Sequence, residues 1–423
     1  MNTITLIKNA RILTPHGFIL GNVLIENGII QSITKEIPKL ENDAHELNAK
    51  FKMLLPGFID IHTHGANGLD VNGAVADDYV ELNKFFASKG TTSYLPTVIS
   101  DDHQVMISAI NAIVSAMIDD ANGSQILGIH LEGPYLCSKY KGAMPEEFLR
   151  LPSFEEFELF QEAANGNIMH MTIAPDVEGS VDFIRHITRA GVSTAIGHTD
   201  ATYEQTMDCI YNGANHSTHT FNAMKMMHHR APAVVGAILD SNITSEIICD
   251  GEHVDAAMVR ILMKNKGVDN MIGVTDSIMA AGLPDGRYRL GVNEIDVENG
   301  NAWLADDHST RAGSTLLMID AFRNMIEFTD VSIADASKIF SRNPARVIGM
   351  ERSKGEIRVG MDADFVLLDD DLNLAATIVM GNLCYVNLSE SEEQTPGKKT
   401  NISTDGTENI GDYILEESGS FLY

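Results

Sequence analysis

The chain has 423 residues, of which 44% are hydrophobic, and its formal net charge is −29 at pH 7. This length and composition predict a globular protein with one large domain and an accessory domain, or with two domains. The negative charge disfavours nucleic acid and anionic membranes as partners, and an anionic substrate would need a local basic pocket.

The N-terminus and the cysteines lead to an expectation about location. The first eight residues lack the basic stretch and apolar core of a signal peptide. No apolar run reaches the roughly 18 residues that a transmembrane helix needs. The four cysteines show no pairing pattern, so we expect a reduced, cytoplasmic protein.

Both ends of the chain have the pattern of β-strands. Within residues 1–54, short apolar runs surround Asn27 and Gly28, a pair typical of a type I′ hairpin turn. Residues 351–388 contain three further runs, and a second hairpin turn is predicted at residues 381–382. We therefore expect the two ends to combine in one small β-sandwich domain.

The stretch 55–65 predicts a short buried strand that ends in two histidines. Side chains at i and i+2 share one face of a strand, so His62 and His64 should point the same way. Such a pair can bind Zn, Fe, Ni or Cu. Alternatively, the two histidines are unrelated polar residues at the end of a core strand.

Residues 55–350 alternate between strand and helix patterns. Including the stretch that ends in the histidine pair, eight strands are predicted; the other seven lie at 92–99, 126–131, 168–173, 192–196, 214–220, 244–249 and 271–275. Helices are predicted at 77–88, 102–118, 153–164, 180–190, 202–212, 231–240, 254–265 and 314–328. This alternation predicts an α/β fold of the (β/α)8 TIM-barrel type, and a doubly wound sheet is the main alternative.

Six of the eight predicted strands end in a metal-type ligand or a carboxylate. Active residues of such barrels lie where the strands end, at the C-terminal face. The candidates are His62, His64, Glu132, His198, His219, His253 and Asp276. Each alone could be a solvated loop residue or a helix cap, but their coincidence predicts a metal-dependent site.

Six motifs occur in a fixed order along the predicted barrel. They are Pro-Gly-Phe-Ile-Asp-Ile-His-Thr-His-Gly at 56–65, His-Leu-Glu-Gly-Pro at 130–134, Gly-His-Thr-Asp-Ala at 197–201, Thr-His-Thr-Phe-Asn-Ala-Met at 218–224, Asp-Gly-Glu-His-Val at 250–254 and Val-Thr-Asp-Ser at 274–277. This set resembles the amidohydrolase superfamily and, within it, the N-acetylglucosamine-6-phosphate deacetylases. The second and fourth motifs are the most specific to the deacetylases.

The resemblance implies a metal-dependent hydrolase of amino-sugar catabolism, which converts N-acetyl-D-glucosamine 6-phosphate to D-glucosamine 6-phosphate and acetate. The implied ligands of one divalent ion are Glu132, His198 and His219. His62 and His64 would help to hold a second ion, giving one or two ions per subunit. Zinc is the first expectation, with iron and manganese as alternatives. Asp276 matches the catalytic base of the family.

The resemblance also implies a substrate pocket and a homodimer. The implied substrate-binding residues are Ala143, Asn222, Ala223, Arg230, His253, Ala312 and Gly313. Arg230 would reach the phosphate in the neighbouring subunit, and the planar fork of arginine suits this role. Without the surrounding motif, Arg230 would be interpreted as part of a surface ion pair. Ala312 and Gly313 are expected where a loop opens the final helix.

One position departs from the family pattern. Met144 stands where the family often has a histidine that contacts the reacting amide, and methionine cannot donate a hydrogen bond to an oxyanion. A deacetylase of N-acetylgalactosamine 6-phosphate therefore stays an alternative, as does a hydrolase of another small amide. A non-catalytic scaffold is disfavoured because all six metal and base positions are retained. Residues 389–423 predict a polar C-terminal extension.

Overall fold

A ring of eight parallel strands forms the centre of the fold. The computed structural model describes residues 4–39, 44–117 and 123–387. Each strand of the ring pairs in parallel with the next one along the chain. Barrel strands 1 to 8 are Phe58–Thr63, Thr91–Ile99, Ile129–Glu132, Ile168–Ile173, Ser193–Ile196, His216–Ser217, Thr244–Ile248 and Met271–Val274.

The segments that follow barrel strands 1 and 8 close the ring. The main-chain N–H of Asp276 donates to the carbonyl of His62 at 2.9 Å, and that of His64 donates to the carbonyl of Ser277 at 2.7 Å. The predicted (β/α)8 barrel is therefore confirmed. The closure also brings the ends of these two strands to the same mouth of the barrel.

One helix follows each barrel strand. These helices are Asp78–Ala87, His103–Ala116, Phe154–Ala163, Ser180–Arg189, Tyr203–Tyr211, Ala233–Asp240, Ala256–Lys266 and Met318–Thr329. Several begin at the residues that sequence patterns favour. The side chains of Asp102, Ser153, Thr202 and Asp255 each accept a hydrogen bond from the first turn of a helix.

The last of these helices begins later than predicted. Its first residue is Met318, not residue 314. Ser314 instead pairs with the chain that follows barrel strand 8, since its N–H donates to the carbonyl of Asp276 at 2.7 Å. Ala312 and Gly313 therefore lie in the connection between the inserted sheet and the helix, and do not open the helix.

The two chain ends form one further sheet, called the end sheet below. Its strands are Ile4–Thr14, Gly17–Glu26, Ile29–Thr34, His45–Asn48, Met53–Pro56, Phe365–Leu368, Leu374–Val379 and Asn382–Val386. Met53–Pro56 joins the two ends, because it pairs in parallel with the first strand and antiparallel with Phe365–Leu368. Ile12, Ile25, Phe365 and Ile378 share its buried core. The sheet domain built from both ends is thus confirmed.

The two hairpin turns of the end sheet have positive φ at both central residues, as type I′ turns require. The predicted turn at Asn27 and Gly28 has φ values of 51° and 79°. The second turn lies at Met380 and Gly381, with φ values of 47° and 75°. It is one residue earlier than predicted, because Asn382 already pairs with Val379 in the ladder.

A four-stranded antiparallel sheet is inserted between barrel strand 8 and its helix, and the sequence patterns did not predict it. The strands of this inserted sheet are Gly286–Leu290, Asn293–Glu298, Asn301–Leu304 and Asp307–Arg311. Its residues Leu290 and Ile295 share a buried cluster with Ile99, Leu136 and Ile278. The inserted sheet is therefore packed against the mouth of the barrel.

The remaining elements are short. They are the strands Gly65–Ala66, Leu69–Asp70 and Gln125–Ile126, the 3₁₀ turns Ser138–Tyr140, Glu146–Phe148 and Val268–Asn270, and the helical segments Ile333–Ser337, Lys338–Arg342 and Asn343–Val347. No helix within the described ranges has the length and apolar character needed to cross a membrane. The domain boundaries at 54/55 and 350/351 stay predictions, and the predicted extension at 389–423 lies outside the described residues.

Candidate metal centre

Six ligand-type side chains from five barrel strand ends meet at the mouth of the barrel. They are His62, His64, Glu132, His198, His219 and Asp276, and none is more than 7% exposed. Glu132, His198 and His219 are close enough to share one ion, and this set is called the first triad below. His62, His64 and Glu132 form the second triad. The predicted convergence of these residues is therefore present in the structure.

The first triad surrounds a single point. Oε1 of Glu132 lies 3.0 Å from Nε2 of His198 and 3.1 Å from Nε2 of His219. The two Nε2 atoms are 3.0 Å apart. Three atoms that can each offer a lone pair thus face one another, which is the arrangement that a divalent ion requires.

The second triad extends the site toward Asp276. Nε2 of His62 is 3.4 Å from Glu132 Oε1, and Nε2 of His64 is 3.3 Å from Glu132 Oε2. Oδ1 of Asp276 lies 3.1 Å from His64 Nε2 and 3.5 Å from His62 Nε2. Asp276 therefore sits at the edge of the second triad, within reach of a group held there.

Hydrogen bonds at Nδ1 fix how three of the histidines are presented. Nδ1 of His62 donates to Glu246 at 3.0 Å, that of His64 to the Thr97 carbonyl at 3.2 Å, and that of His198 to the Tyr140 carbonyl at 2.9 Å. A carboxylate or carbonyl oxygen can only accept, so Nδ1 carries the proton. Nε2 is then the atom that faces the triads, and the residues present fit a metal site.

Three of the site residues have an unusual backbone conformation. The φ angles are 48° at His198, 25° at His219 and 50° at Asp276, a region that residues other than glycine seldom adopt. Each such residue costs about 1–3 kcal/mol and persists only where its surroundings hold it. Here the chain turns at the strand ends and directs the three side chains toward the barrel axis.

Charges in the site favour cations. Burial opposes the charged form of both acids, but His62 and His198 hold the pKa of Glu132 well below its usual range, and His62 and His64 lower the pKa of Asp276. Burial also opposes charge on His64, yet its bonds to Asp276 and Glu132 raise its pKa to about 9. A divalent ion that binds would displace such ring protons.

A cavity of about 560 Å³ opens above the two triads. Five of the predicted substrate-binding residues line it: Ala143, Asn222, Ala223, His253 and Gly313. Nδ1 of His253 is held by Asp250 at 2.6 Å. The inserted sheet supplies another wall through Leu290, Leu304 and Arg311. The geometry thus places a lined pocket directly over the candidate ligands.

Two of the predicted substrate-binding residues do not line this cavity. Ala312 is fully buried, and its N–H donates to the carbonyl of Ala302 at 3.2 Å. Arg230 is exposed, and its guanidinium lies 2.7 Å from Nε2 of His229. The main-chain N–H of Ala312 is therefore used in a bond to the inserted sheet, whereas the Arg230 side chain lies on the surface.

Met144 lies at the edge of the cavity and is buried. It packs in the same cluster as Ile99, Leu136 and Ile278. Its side chain has no donor, so this part of the wall is apolar.

Sequence reasoning missed Glu246, which lies beneath both triads. It is fully buried and bonds to His62 and to Nε2 of His216 at 2.9 Å. Burial opposes its charge, but His62, His170 and His216 hold the pKa of Glu246 well below its usual range. The available signal was a carboxylate in the middle of a strand with no other charged residue, where burial requires hydrogen-bonding partners.

Comparisons with known proteins identify the family of the chain. The model of the Amidohydrolase family matches residues 53–386. The N-acetylglucosamine-6-phosphate deacetylase of Bacillus subtilis is 36% identical over 388 residues, covering 90% of this chain and 97% of that protein. The N-acetylgalactosamine-6-phosphate deacetylase of Escherichia coli is 33% identical over 380 residues, covering 89% and 98%.

A solved structure is similar in fold as well. It is that of an N-acetyl-D-glucosamine-6-phosphate deacetylase variant from Mycobacterium smegmatis in complex with N-acetyl-D-glucosamine 6-phosphate. The two chains share 30% identity and a TM-score of 0.83, over 90% of this chain and 99% of the other. The chain therefore belongs to the amidohydrolase family. Within that family it is similar to deacetylases of N-acetylated amino-sugar phosphates.

Proposed function

We propose that the protein hydrolyses the acetamide of N-acetyl-D-glucosamine 6-phosphate, giving D-glucosamine 6-phosphate and acetate in amino-sugar catabolism. The observation that carries this proposal is the pair of ligand triads with Asp276 beside them, at the floor of a pocket. Similarity to deacetylases along nearly the whole chain supports the same activity. The proposed location is the cytoplasm.

Two sets of residues would hold metal. Glu132, His198 and His219 are proposed to bind one divalent ion, and His62 and His64 to help bind a second. Zinc suits imidazole and carboxylate ligands best, and iron and manganese use the same donor types. When bound, such an ion supplies Lewis acidity, which lowers the pKa of water to about 7 and polarises a carbonyl group.

Asp276 is proposed to move the proton. Its carboxylate would accept a proton from water as the water oxygen attacks the acetyl carbon, and would pass that proton to the leaving amine as the C–N bond breaks. Its lowered pKa keeps it ionised and ready to accept at neutral pH. Oδ1 of Asp276 lies 3.1 Å from Nε2 of His64, which places the carboxylate beside the second triad.

The phosphate is proposed to lie at the outer part of the cavity. Asn222, His253 and the main chain near Ala223 and Gly313 offer polar groups along the cavity wall. We further propose a homodimer in which Arg230 reaches the neighbouring subunit's pocket. Its exposed position, outside the cavity of its own subunit, agrees with this role.

A panel of substrates tests the activity. Acetate release should be measured with the 6-phosphates of N-acetylglucosamine and N-acetylgalactosamine and with unphosphorylated N-acetylglucosamine, alongside metal analysis of the purified protein. The glucosamine phosphate should give the highest kcat/KM. A preference for the galactosamine isomer would favour the alternative that the Escherichia coli relative and Met144 support. Equal rates with the unphosphorylated sugar would refute the proposed substrate class.

An Asp276→Asn variant tests the proton transfer. Metal content and substrate binding should stay close to those of the parent, while kcat falls by roughly 10²–10⁴-fold, the usual contribution of general acid–base catalysis. Turnover near the parent rate would show that Asp276 does not have this role.

A further inference from the structure

Glu246 lies in the barrel interior, directly below the metal centre. It belongs to barrel strand 7, and none of its surface is exposed. Oε2 accepts from Nδ1 of His62 at 3.0 Å and from the main-chain N–H of His219 at 2.9 Å. Oε1 accepts from Nε2 of His216 at 2.9 Å and faces Nε2 of His170 at 3.6 Å. A single oxygen thus contacts one residue of each triad.

We propose that Glu246 is a positioning residue that couples the two triads, holding the His62 ring and the His219 main chain at the same time. This inference rests on the proposed metal-dependent function. Glu246 accepts a hydrogen bond from Nδ1 of His62. Because Nδ1 is used in this bond, the other ring nitrogen, Nε2, stays turned toward the metal centre. Through His219, Glu246 fixes the turn that presents the first triad.

The turn at His219 needs such support. Its φ of 25° is unusual for a residue with a side chain, and such conformations persist only where the surroundings hold them. Besides the side-chain bond to the N–H of His219, the carbonyl of Glu246 accepts from the N–H of Thr220 at 3.0 Å. The side chain and the main chain of Glu246 therefore bind two consecutive residues of this turn, His219 and Thr220.

A third metal site is the competing interpretation. His170, His216 and Glu246 are close enough together to hold an ion. However, an ionised carboxylate has about four lone-pair directions, and here they face His62, His219, His216 and His170. His216 is also bonded at its other nitrogen, which lies 2.6 Å from Oγ1 of Thr244. None of these three residues lines the cavity, whereas Glu132, His198 and His219 do, so the cluster is better explained as support for the triads above it.

The proposal predicts a loss of metal affinity with little effect on the binding of substrate. Glu246 does not line the cavity, so KM at saturating metal should stay within about twofold of the parent value. Loss of a group that orients metal ligands typically costs 10–100-fold in metal affinity. Glutamine in its place would keep one acceptor oxygen, but its –NH2 group would face neighbours that are themselves donors.

The test compares Glu246→Gln with Thr244→Val. Thr244 and Glu246 both lie on barrel strand 7, and each is hydrogen-bonded to the buried His216. The side-chain hydroxyl of Thr244 contacts no member of either triad. Metal dissociation constants should be measured without substrate, by competition with a chromophoric chelator. In a separate assay, kcat and KM should be measured over a range of metal concentrations. We expect the metal dissociation constant to rise 10–100-fold only in Glu246→Gln. Excess metal should restore the kcat of this variant at least in part.

Three outcomes would overturn the inference. The first is equal metal affinity in the two variants, and the second is a raised KM in Glu246→Gln at saturating metal. If Glu246→Gln does not fold, a crystal structure of the metal-loaded parent decides, with anomalous scattering locating the ions. An ion between His170 and His216 would be the third contradicting outcome, whereas ions only at the triads, with His62 bonded to Glu246, would support the proposal. A parent that binds no metal would instead refute the proposed function itself.

Discussion

Replacing Gly313 by alanine should slow turnover by displacing Asp276. Gly313 has a φ of 61°, and an added Cβ would come 2.9 Å from the Asp276 carbonyl oxygen and 2.5 Å from Cγ2 of the buried Ile278. It would also lie 3.8 Å from Oδ1 of Asp276. Neither the backbone oxygen nor the Ile278 methyl can swing away freely, so the segment that carries Asp276 must move.

The magnitude follows from the size of that movement. An ordinary contact of about 3.4–3.5 Å requires the carbonyl to shift by roughly 0.5 Å. A misplacement of about 1 Å in an active site can cost about 100-fold, so about half of that distance should reduce kcat roughly tenfold. The positive φ adds about 1 kcal/mol of strain to the folded state.

Gly349→Ala is the matched control. Gly349 has a φ of 74°, but nothing lies within 4 Å of an added Cβ, so this variant carries the backbone strain alone. Acetate release at saturating substrate, metal content and unfolding by urea should be measured for both variants. We expect full metal content in both variants, a further loss of about 1–3 kcal/mol of stability in Gly313→Ala from the overpacking, and a lower kcat only for Gly313→Ala. If the kcat values of the two variants agree within about twofold, the packing argument is wrong.

Three further predictions concern stability, metal and the pocket wall. Lys354→Met should lower the free energy of unfolding by about 3–5 kcal/mol, because Asp362 and Asp364 lose their buried partner; a loss below about 1 kcal/mol in urea unfolding, typical of a surface pair, would contradict this. Stripping the metal and titrating it back should raise the thermal midpoint with concentration, reaching about 4 kcal/mol of stabilisation at 1,000 times Kd; a constant midpoint would argue against folded-state binding. Met144→Leu should keep kcat/KM within about threefold, since it conserves volume in an apolar wall; a hundredfold loss would show that the thioether has a chemical role.

Much of the barrel was predictable because its elements have strong local signals. The strand predicted at 168–173 occupies the same residues in the structure, and capping side chains such as Ser153 and Thr202 mark where helices begin. Barrel strand 6 was predicted at 214–220 but spans only His216–Ser217. The β-branched residues Thr218 and Thr220 favour a longer strand, but the chain turns at His219 and presents its ring.

The inserted sheet was missed because its strands lie partly in solvent. Asp307–Arg311 has no apolar residue, so its pairing has no hydrophobic signature. Asn299 and Gly300 did offer a hairpin signal, and both have positive φ in the structure. The role of Glu246 was beyond sequence reasoning for another reason. Its partners lie on other strands, and only the lateral register of the barrel brings them together.

The end sheet has a consequence for how the protein is made. Met53–Pro56 pairs with Phe365–Leu368, which leaves the ribosome about 300 residues later. At about 5–20 residues per second, that delay lasts about 15–60 s. Leu54 and Ile12 are both fully buried in the finished protein. During this time they lack the neighbouring strand Phe365–Leu368, which completes their sheet. Truncation shortly before residue 365 should therefore leave an apolar, unpaired strand edge on the nascent chain, which is a natural binding site for chaperones.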